Sequence, residues 1–284
     1  MPNVAASSDA VCSTPHRAAR DASFILRPMS SLPFNYARAL TGRARTPSAN
    51  RHLGYALAFI AGAINAGGFL AVRQYTSHMT GIVSSMADSI ALGEQGLVLT
   101  GVGAVLSFLS GAATCAVLVN HARRQQRHSE YALPLLLEAV LLLCFGLLGA
   151  RLSRIEGLFV PMTVMLLCFI MGLQNAVITK LSRAEIRTTH ITGIVTDLGI
   201  ELGKLVYWND PRTPALPKVH ADMGRLRVLG SLLAAFFVGG IIGALGFKHL
   251  GYLSTVPLVV LLVALAIVPA VDDVKALLHR RAAR

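Results

Sequence analysis

The chain has 284 residues, 54% of them hydrophobic and 14% charged, with a mean hydropathy of +0.60. Soluble globular domains carry about 25% charged residues, so this composition excludes one and marks an integral membrane protein. The formal charge of +12 does not call for nucleic acid, because the basic residues lie between apolar runs and toward both ends, as cytoplasmic flanks do.

Residues 1–50 are rich in Ala, Ser, Arg and Pro and hold no apolar run long enough for a signal peptide. They are expected to form a disordered basic tail, followed by a transmembrane domain over 51–272 and a basic cytoplasmic tail over 273–284. Six apolar runs lie at about Leu53–Val72, Leu97–Val119, Leu133–Ala150, Leu158–Thr179, Leu226–Phe247 and Tyr252–Ala270. Each is near the roughly 20 residues that a helix needs to cross a bilayer. Two further segments, Ser77–Leu92 and Thr189–Tyr207, are too polar for full spans and too apolar for free loops. Glu138 stands alone in the third run, about one turn inside, within reach of the interface. Ser107 with Gly111, and Gly239, Gly240, Gly243 and Gly246, give small-residue faces for helix packing. Pro211, Pro214 and Pro217 mark an extended loop.

Basic-residue placement separates two topologies. With six crossings and the N-terminus inside, 22 of the 26 Lys and Arg face the cytoplasm, and only Arg73, Arg151, Arg154 and Lys248 face out. With eight crossings, the Arg123, Arg124 and Arg127 cluster moves outside and the split falls to 18 against 8. The expected fold is therefore all-α: a polytopic bundle of six full spans plus two re-entrant or short motif helices. Both termini are expected on the cytoplasmic side of the inner membrane.

The two polar segments repeat one pattern. Gly62-Ala63-Ile64-Asn65-Ala66 precedes His78-Met79-Thr80-Gly81-Ile82-Val83, and Gly172-Leu173-Gln174-Asn175-Ala176 precedes His190-Ile191-Thr192-Gly193-Ile194-Val195. This predicts two repeated halves, about 53–150 and 158–270, inverted under the six-crossing topology. Gly permits departure from helical geometry and Thr can bond the freed carbonyls, so each segment is a candidate broken helix offering backbone groups to a solute. The expected binding residues are Asn65, His78, Thr80, Gly81, Gln174, Asn175, Thr189, His190, Thr192 and Gly193. Histidine titrates near neutrality, so His78 and His190 suit proton relay; interhelical hydrogen bonding is their bland role. Asp88, Asp197 and Glu201 are candidates for ion coupling. Asp197 and Glu201 share a helix face at i, i+4, and Lys204 can pair with Glu201. Arg187 and Arg73 are the basic residues nearest the two aspartates in sequence. The bland alternative for all three acids is an interfacial position.

Cys12, Cys115, Cys144 and Cys168 share no metal or redox spacing, and no catalytic triad or metal-protease motif is present. Gly199–Lys204 lacks the spacing and the Ser or Thr of a phosphate loop. No catalytic residue, metal or cofactor is expected.

On these motifs, together with Arg187-Thr188-Thr189-His190-Ile191-Thr192-Gly193, residues 53–270 resemble the YoaK-type family of bacterial multi-pass membrane proteins, which is classed as a domain of unknown function. That family commonly has Asp-Ala where this chain has Asn65-Ala66, and Thr-Gly-Asn where it has Thr80-Gly81-Ile82. The departures remove a charge and an amide from the first half-site. The resemblance implies a polytopic inner-membrane protein and carries no established activity. The reading best supported by the residues is a small-solute or ion transporter with an inverted-repeat site. A non-transporting receptor or scaffold is the alternative, and a membrane enzyme acting on a lipid-soluble substrate is the third. Expected partners are membrane lipids and a small polar solute or ion, with no nucleic acid; homo-oligomerisation is left open.

Overall fold

The computed structural model describes residues 47–127, 129–152, 156–181, 191–209 and 218–282. All regular structure there is helical: α1 (Pro47–Val72), α2 (Met79–Leu92), α3 (Gln95–Arg124), α4 (Ala132–Leu152), α5 (Glu156–Leu181), α6 (Ile191–Val206), α7 (Met223–Leu250), a 3-10 turn (Gly251–Ser254) and α8 (Thr255–Ala282). Five stretches are long and apolar enough to cross a membrane: 48–72, 95–124, 132–149, 161–180 and 223–267. The last holds both α7 and α8, divided at Gly251, whose φ of +58° breaks the helix. The protein is a multi-pass helical membrane protein. The expected 1–50 tail lies largely outside the described residues. The last helix continues through Ala282 into the stretch expected as the basic C-terminal tail, as its Ala, Leu, Lys and Arg content favours.

Lipid-embedded helices gain little from the hydrophobic effect and associate through close packing, which small residues permit. Here glycines decide which helices pair. Gly62 of α1 abuts the Phe236 carbonyl of α7, while Gly239 and Gly243 of α7 abut the backbone of Phe59 and Ala63. Gly111 of α3 abuts the Phe169 carbonyl of α5, and Gly172 of α5 abuts the Phe108 carbonyl. A Cβ added at any of these would overlap backbone atoms. The α1–α7 and α3–α5 pairs form the most extensive interfaces, with α4–α8 next.

The same contacts fix direction. Along α1, Gly62 and Gly67 meet Phe236 and Phe247 in ascending order, so α1 and α7 are parallel. Gly103 and Gly111 meet Met165 and Phe169, so α3 and α5 are parallel too. Between the pairs the order reverses: Gly68 meets Leu167, whereas Leu57 accepts a hydrogen bond from Gln174, so α1 and α5 are antiparallel. Tyr252 and Thr255 pack on Gly149 and Gly146, setting the start of α8 beside the end of α4. The C-terminal ends of α1, α4 and α7 thus share one end of the bundle with the starts of α3, α5 and α8.

Replacing Gly172 with Ala should cost about 1–3 kcal/mol, because overpacking here meets backbone, which cannot swing aside. Gly199→Ala on α6, where an added Cβ meets nothing within 4 Å, should be neutral or stabilise by up to about 1 kcal/mol. Unfolding midpoints of the two variants in detergent check this. Equal tolerance at both positions would contradict the packing role.

Candidate functional site

The first motif segment doubles back into the bundle. Helix α1 ends at Val72, and Arg73 adopts a left-handed φ of +57° while its N–H donates to the Phe69 carbonyl at 2.8 Å. A left-handed conformation is uncommon for a residue with a side chain and persists only where its surroundings hold it. Tyr75 stacks on Phe69 with ring centroids 4.5 Å apart, bringing the loop back along α1. The Ser77 hydroxyl then donates to Asn65 Oδ1 at 2.8 Å. Asn65 lies about 10 Å of helix rise before the end of α1, so the chain has re-entered to that depth before α2 starts. His78 holds the N-cap position without a side-chain cap bond, leaving the first N–H groups of α2 uncapped by a side chain. Gly81 leaves room for the His78 imidazole, which a Cβ there would strike. Helix α2 climbs out with Met86 against Gly101 of α3 and stops at Gly93, whose φ of +78° is a left-handed C-cap.

An open cleft of about 440 Å³ remains between this hairpin, the end of α1 and the start of α3. Its polar lining is Arg73, Gln74, Tyr75, His78, Ser85 and Thr100, and no acid contributes to it. Thr76, at the base of the re-entrant loop, is fully buried with its hydroxyl unpaired. Thr80 and Asp88 are exposed on α2.

The second segment sits at the opposite end of the bundle. Thr189 and His190 lie outside the described residues. Thr192 and Gly193 open α6 and are exposed; the Thr192 carbonyl accepts from the Thr196 hydroxyl at 2.8 Å. Ile194 packs with Ala58 of α1 and with Leu229 and Leu232 of α7. Asp197 pairs with Arg225 of α7 at 3.0 Å; the sequence neighbour Arg187 lies outside the described residues. Glu201 is buried, accepting from Lys204 Nζ at 2.8 Å and from the Asp222 backbone N–H at 2.9 Å. The Lys204 hydrogen bond, aided by the Asp222 amide, holds the Glu201 carboxyl below the ordinary carboxylate range. Asp222 caps α7 by accepting from the Gly224 and Arg225 amides, and the Arg225 amide contributes most to lowering its carboxyl as well. Asp197 and Glu201 therefore clamp α6 to the start of α7.

The expected amides divide. Asn65 belongs to the first segment through Ser77. Gln174 is buried on the α1–α5 contact, with Nε2 donating to the Leu57 carbonyl at 3.4 Å and Oε1 unpaired. Asn175 donates back to the Met171 carbonyl at 2.9 Å within its own helix. The two motif segments approach α1 at Asn65 and at Ala58, about 10 Å of helix rise apart. Sequence reasoning missed Gln74, Tyr75 and Thr100 as cleft residues, and took Arg73 only as an ion-pair partner.

A family model described as "Protein of unknown function (DUF1275)" matches residues 53–268. The "UPF0700 transmembrane protein YoaK" of Bacillus subtilis (strain 168) is 28% identical over 212 residues, covering 72% of this chain and 88% of that protein. No solved structure matches the chain.

Because the folded Glu201 carboxyl is held below its ordinary value, its stabilising contribution is present above the unfolded value and is lost as pH falls through the lowered one. Hydrogen-exchange protection of residues 191–206 should hold at neutral pH and fall only in strong acid. In Glu201→Gln, protection should be weaker at neutral pH and lose that acid dependence. An unchanged profile in the variant would remove the clamp.

Proposed function

The chain belongs to the DUF1275 family of membrane proteins, and from that premise we propose that it is a transporter for a small anionic solute. The observation that carries this reading is the re-entrant segment at Arg73–His78 and the cleft it leaves open. Irregular backbone at membrane depth is tolerated only where protein buries it or where it lines a wet cavity. The cleft volume lies within the range of small-molecule sites. Its charge is one-sided: Arg73, the polar His78 and the uncapped N-terminus of α2 face it, and no carboxylate does. A helix N-terminus with a guanidinium beside it favours a carboxylate or phosphate-like group. The strained Arg73 backbone fits a residue fixed for contact with a ligand.

The repeat is the second part of the proposal. Under it, α1 to α4 correspond to α5 to α8 in opposite membrane orientation, with six crossings and the motif helices α2 and α6 re-entering from opposite faces. Three observations support it. Helices α1 and α5 carry matching motifs and run antiparallel. Phe59 with Gly62 and Phe169 with Gly172 make the same type of backbone contact to their partners. Phe108 with Gly111 and Phe236 with Gly239 complete the set. Inverted repeats of this kind allow one half to rock against the other around a fixed site. The parallel α1–α7 and α3–α5 pairs would be the rocking bodies, with Asn65, Gln174 and Asn175 near their shared seam. The remaining motif residues, His78, Thr80, Gly81, Thr189, His190, Thr192 and Gly193, would open toward the two faces. Glycine contacts also favour a second reading: part of the motif serves packing, as a non-transporting scaffold would require.

Purified protein screened with small carboxylates, phosphate, sulfate and neutral metabolites separates these readings. A binder at 100 times its Kd stabilises the fold by about 2.7 kcal/mol. An anion should raise the unfolding temperature of wild type, and Arg73→Lys, which keeps a side chain at this left-handed position but loses the guanidinium fork, should diminish the rise while leaving the unliganded unfolding free energy within about 0.5 kcal/mol. Stabilisation by none of the panel, or an undiminished shift in Arg73→Lys, would favour the scaffold.

A further inference from the structure

Glu138 lies on α4, about 9 Å of helix rise from its first residue. It is completely buried, and neither carboxyl oxygen has a hydrogen-bond partner. Around it on the same helix, Leu135, Ala139 and Leu142 are also buried. Few buried polar groups in native proteins lack partners, and an intramembrane acid placed away from the interface is costly to keep unless it is used.

We propose that Glu138 is a proton-binding site in the bundle core, occupied by its proton in this conformation. The titratable groups around it are few. Cys115 of α3 is buried and lies within electrostatic reach of both Glu138 and Lys180 of α5. Cys168 of α5 is a second buried cysteine. Helix α8 carries no ionisable residue between Thr255 and Val271. In the last turn of α3, Arg123 is engaged by Glu130 at 2.7 Å. Among the described residues no cation pairs with Glu138, and an unpaired carboxylate in an apolar core is far costlier than the neutral acid. Release breaks the carboxyl O–H bond and passes the proton to water as hydronium. Water reaches the buried group only if α4 shifts against the helices packed on it, α8, α5 and α3, and the carboxylate then has Lys180 as the one Lys or Arg along α5. Proton exchange at Glu138 is in this way tied to a change in helix packing. Its role as the coupling group of anion transport rests on the function proposed above; its proton binding does not.

Infrared difference spectroscopy of the full chain in lipid, wild type minus Glu138→Gln, tests the binding directly. Near neutral pH the difference should show the C=O stretch of a protonated, weakly hydrogen-bonded carboxyl. Carboxylate bands in its place would overturn the proposal. Dicyclohexylcarbodiimide labelling of wild type gives a second measurement free of the variant. The acid adds across the carbodiimide to an N-acylurea, which should appear at Glu138 and not at the exposed Asp88. Labelling at Asp88 and not Glu138 would count against the proposal, with the infrared result deciding. For coupling, liposome-reconstituted Glu138→Gln should keep anion exchange but lose at least tenfold of its acceleration by an imposed pH gradient. If wild type moves no anion while the protonated-carboxyl band is present, the transport reading fails and the proton site stands.

Discussion

The structure depends on backbone-to-backbone contact at glycine. In a bilayer, apolar side chains meet lipid as readily as they meet each other, so helix pairing falls to packing at close range. Gly62 and Gly239 bring α1 and α7 together, and Gly111 and Gly172 do the same for α3 and α5. Neither pair is adjacent in the chain. The remaining helices fill in around these two: α4 and α8 pack on each other, and α5 meets α1 through Gly68 and Gln174. A methyl group at any of the four glycines would push two helices apart and disturb every element seated on them.

The two close pairs also govern the polar segments. The loop after α1 folds back along that helix as far as Asn65. The α2 and α6 helices then rest on α3 and α7 near opposite ends of the bundle. They differ in what holds them. Helix α6 is held by charge, through Asp197, Glu201, Lys204 and Arg225. Helix α2 is held by packing, through Ile82, Met79 and the Met86–Gly101 contact, and by the Ser77–Asn65 bond before it, with an open cleft beside it. The cleft beside α2 is the site that the proposed anion binding would use.

Much of this architecture was legible in the chain. Five of the six apolar runs lie within long helices and the sixth begins in the 3-10 turn before α8, because length and hydropathy dictate them, and both polar segments hold short helices. Helix partners were not legible: Gly239, Gly240 and Gly243 read as a packing face, but nothing local says that it seeks Gly62. The cleft was half legible. His78 and Gly81 stood out by repetition, whereas Arg73 and Tyr75 depend on a backbone reversal that the sequence does not advertise. Arg225 as the partner of Asp197 required the α6–α7 hairpin to be known. Glu138 was hardest, since a helix apolar on all sides has no periodicity to show which face is buried, and its position one turn inside the run fitted an interfacial side chain equally well.

The central claim is that the chain re-enters before α2 instead of crossing there. Sidedness labelling tests it most directly. Single cysteines at Gln74, Glu94, Gln125 and Val219, introduced into a variant lacking the four native cysteines, would be probed with an impermeant thiol reagent in right-side-out and inverted vesicles. The account predicts that positions 74 and 94 label from one face, and that 125 and 219 label from the other. Labelling of 74 and 94 from opposite faces would make α2 a full crossing and contradict it.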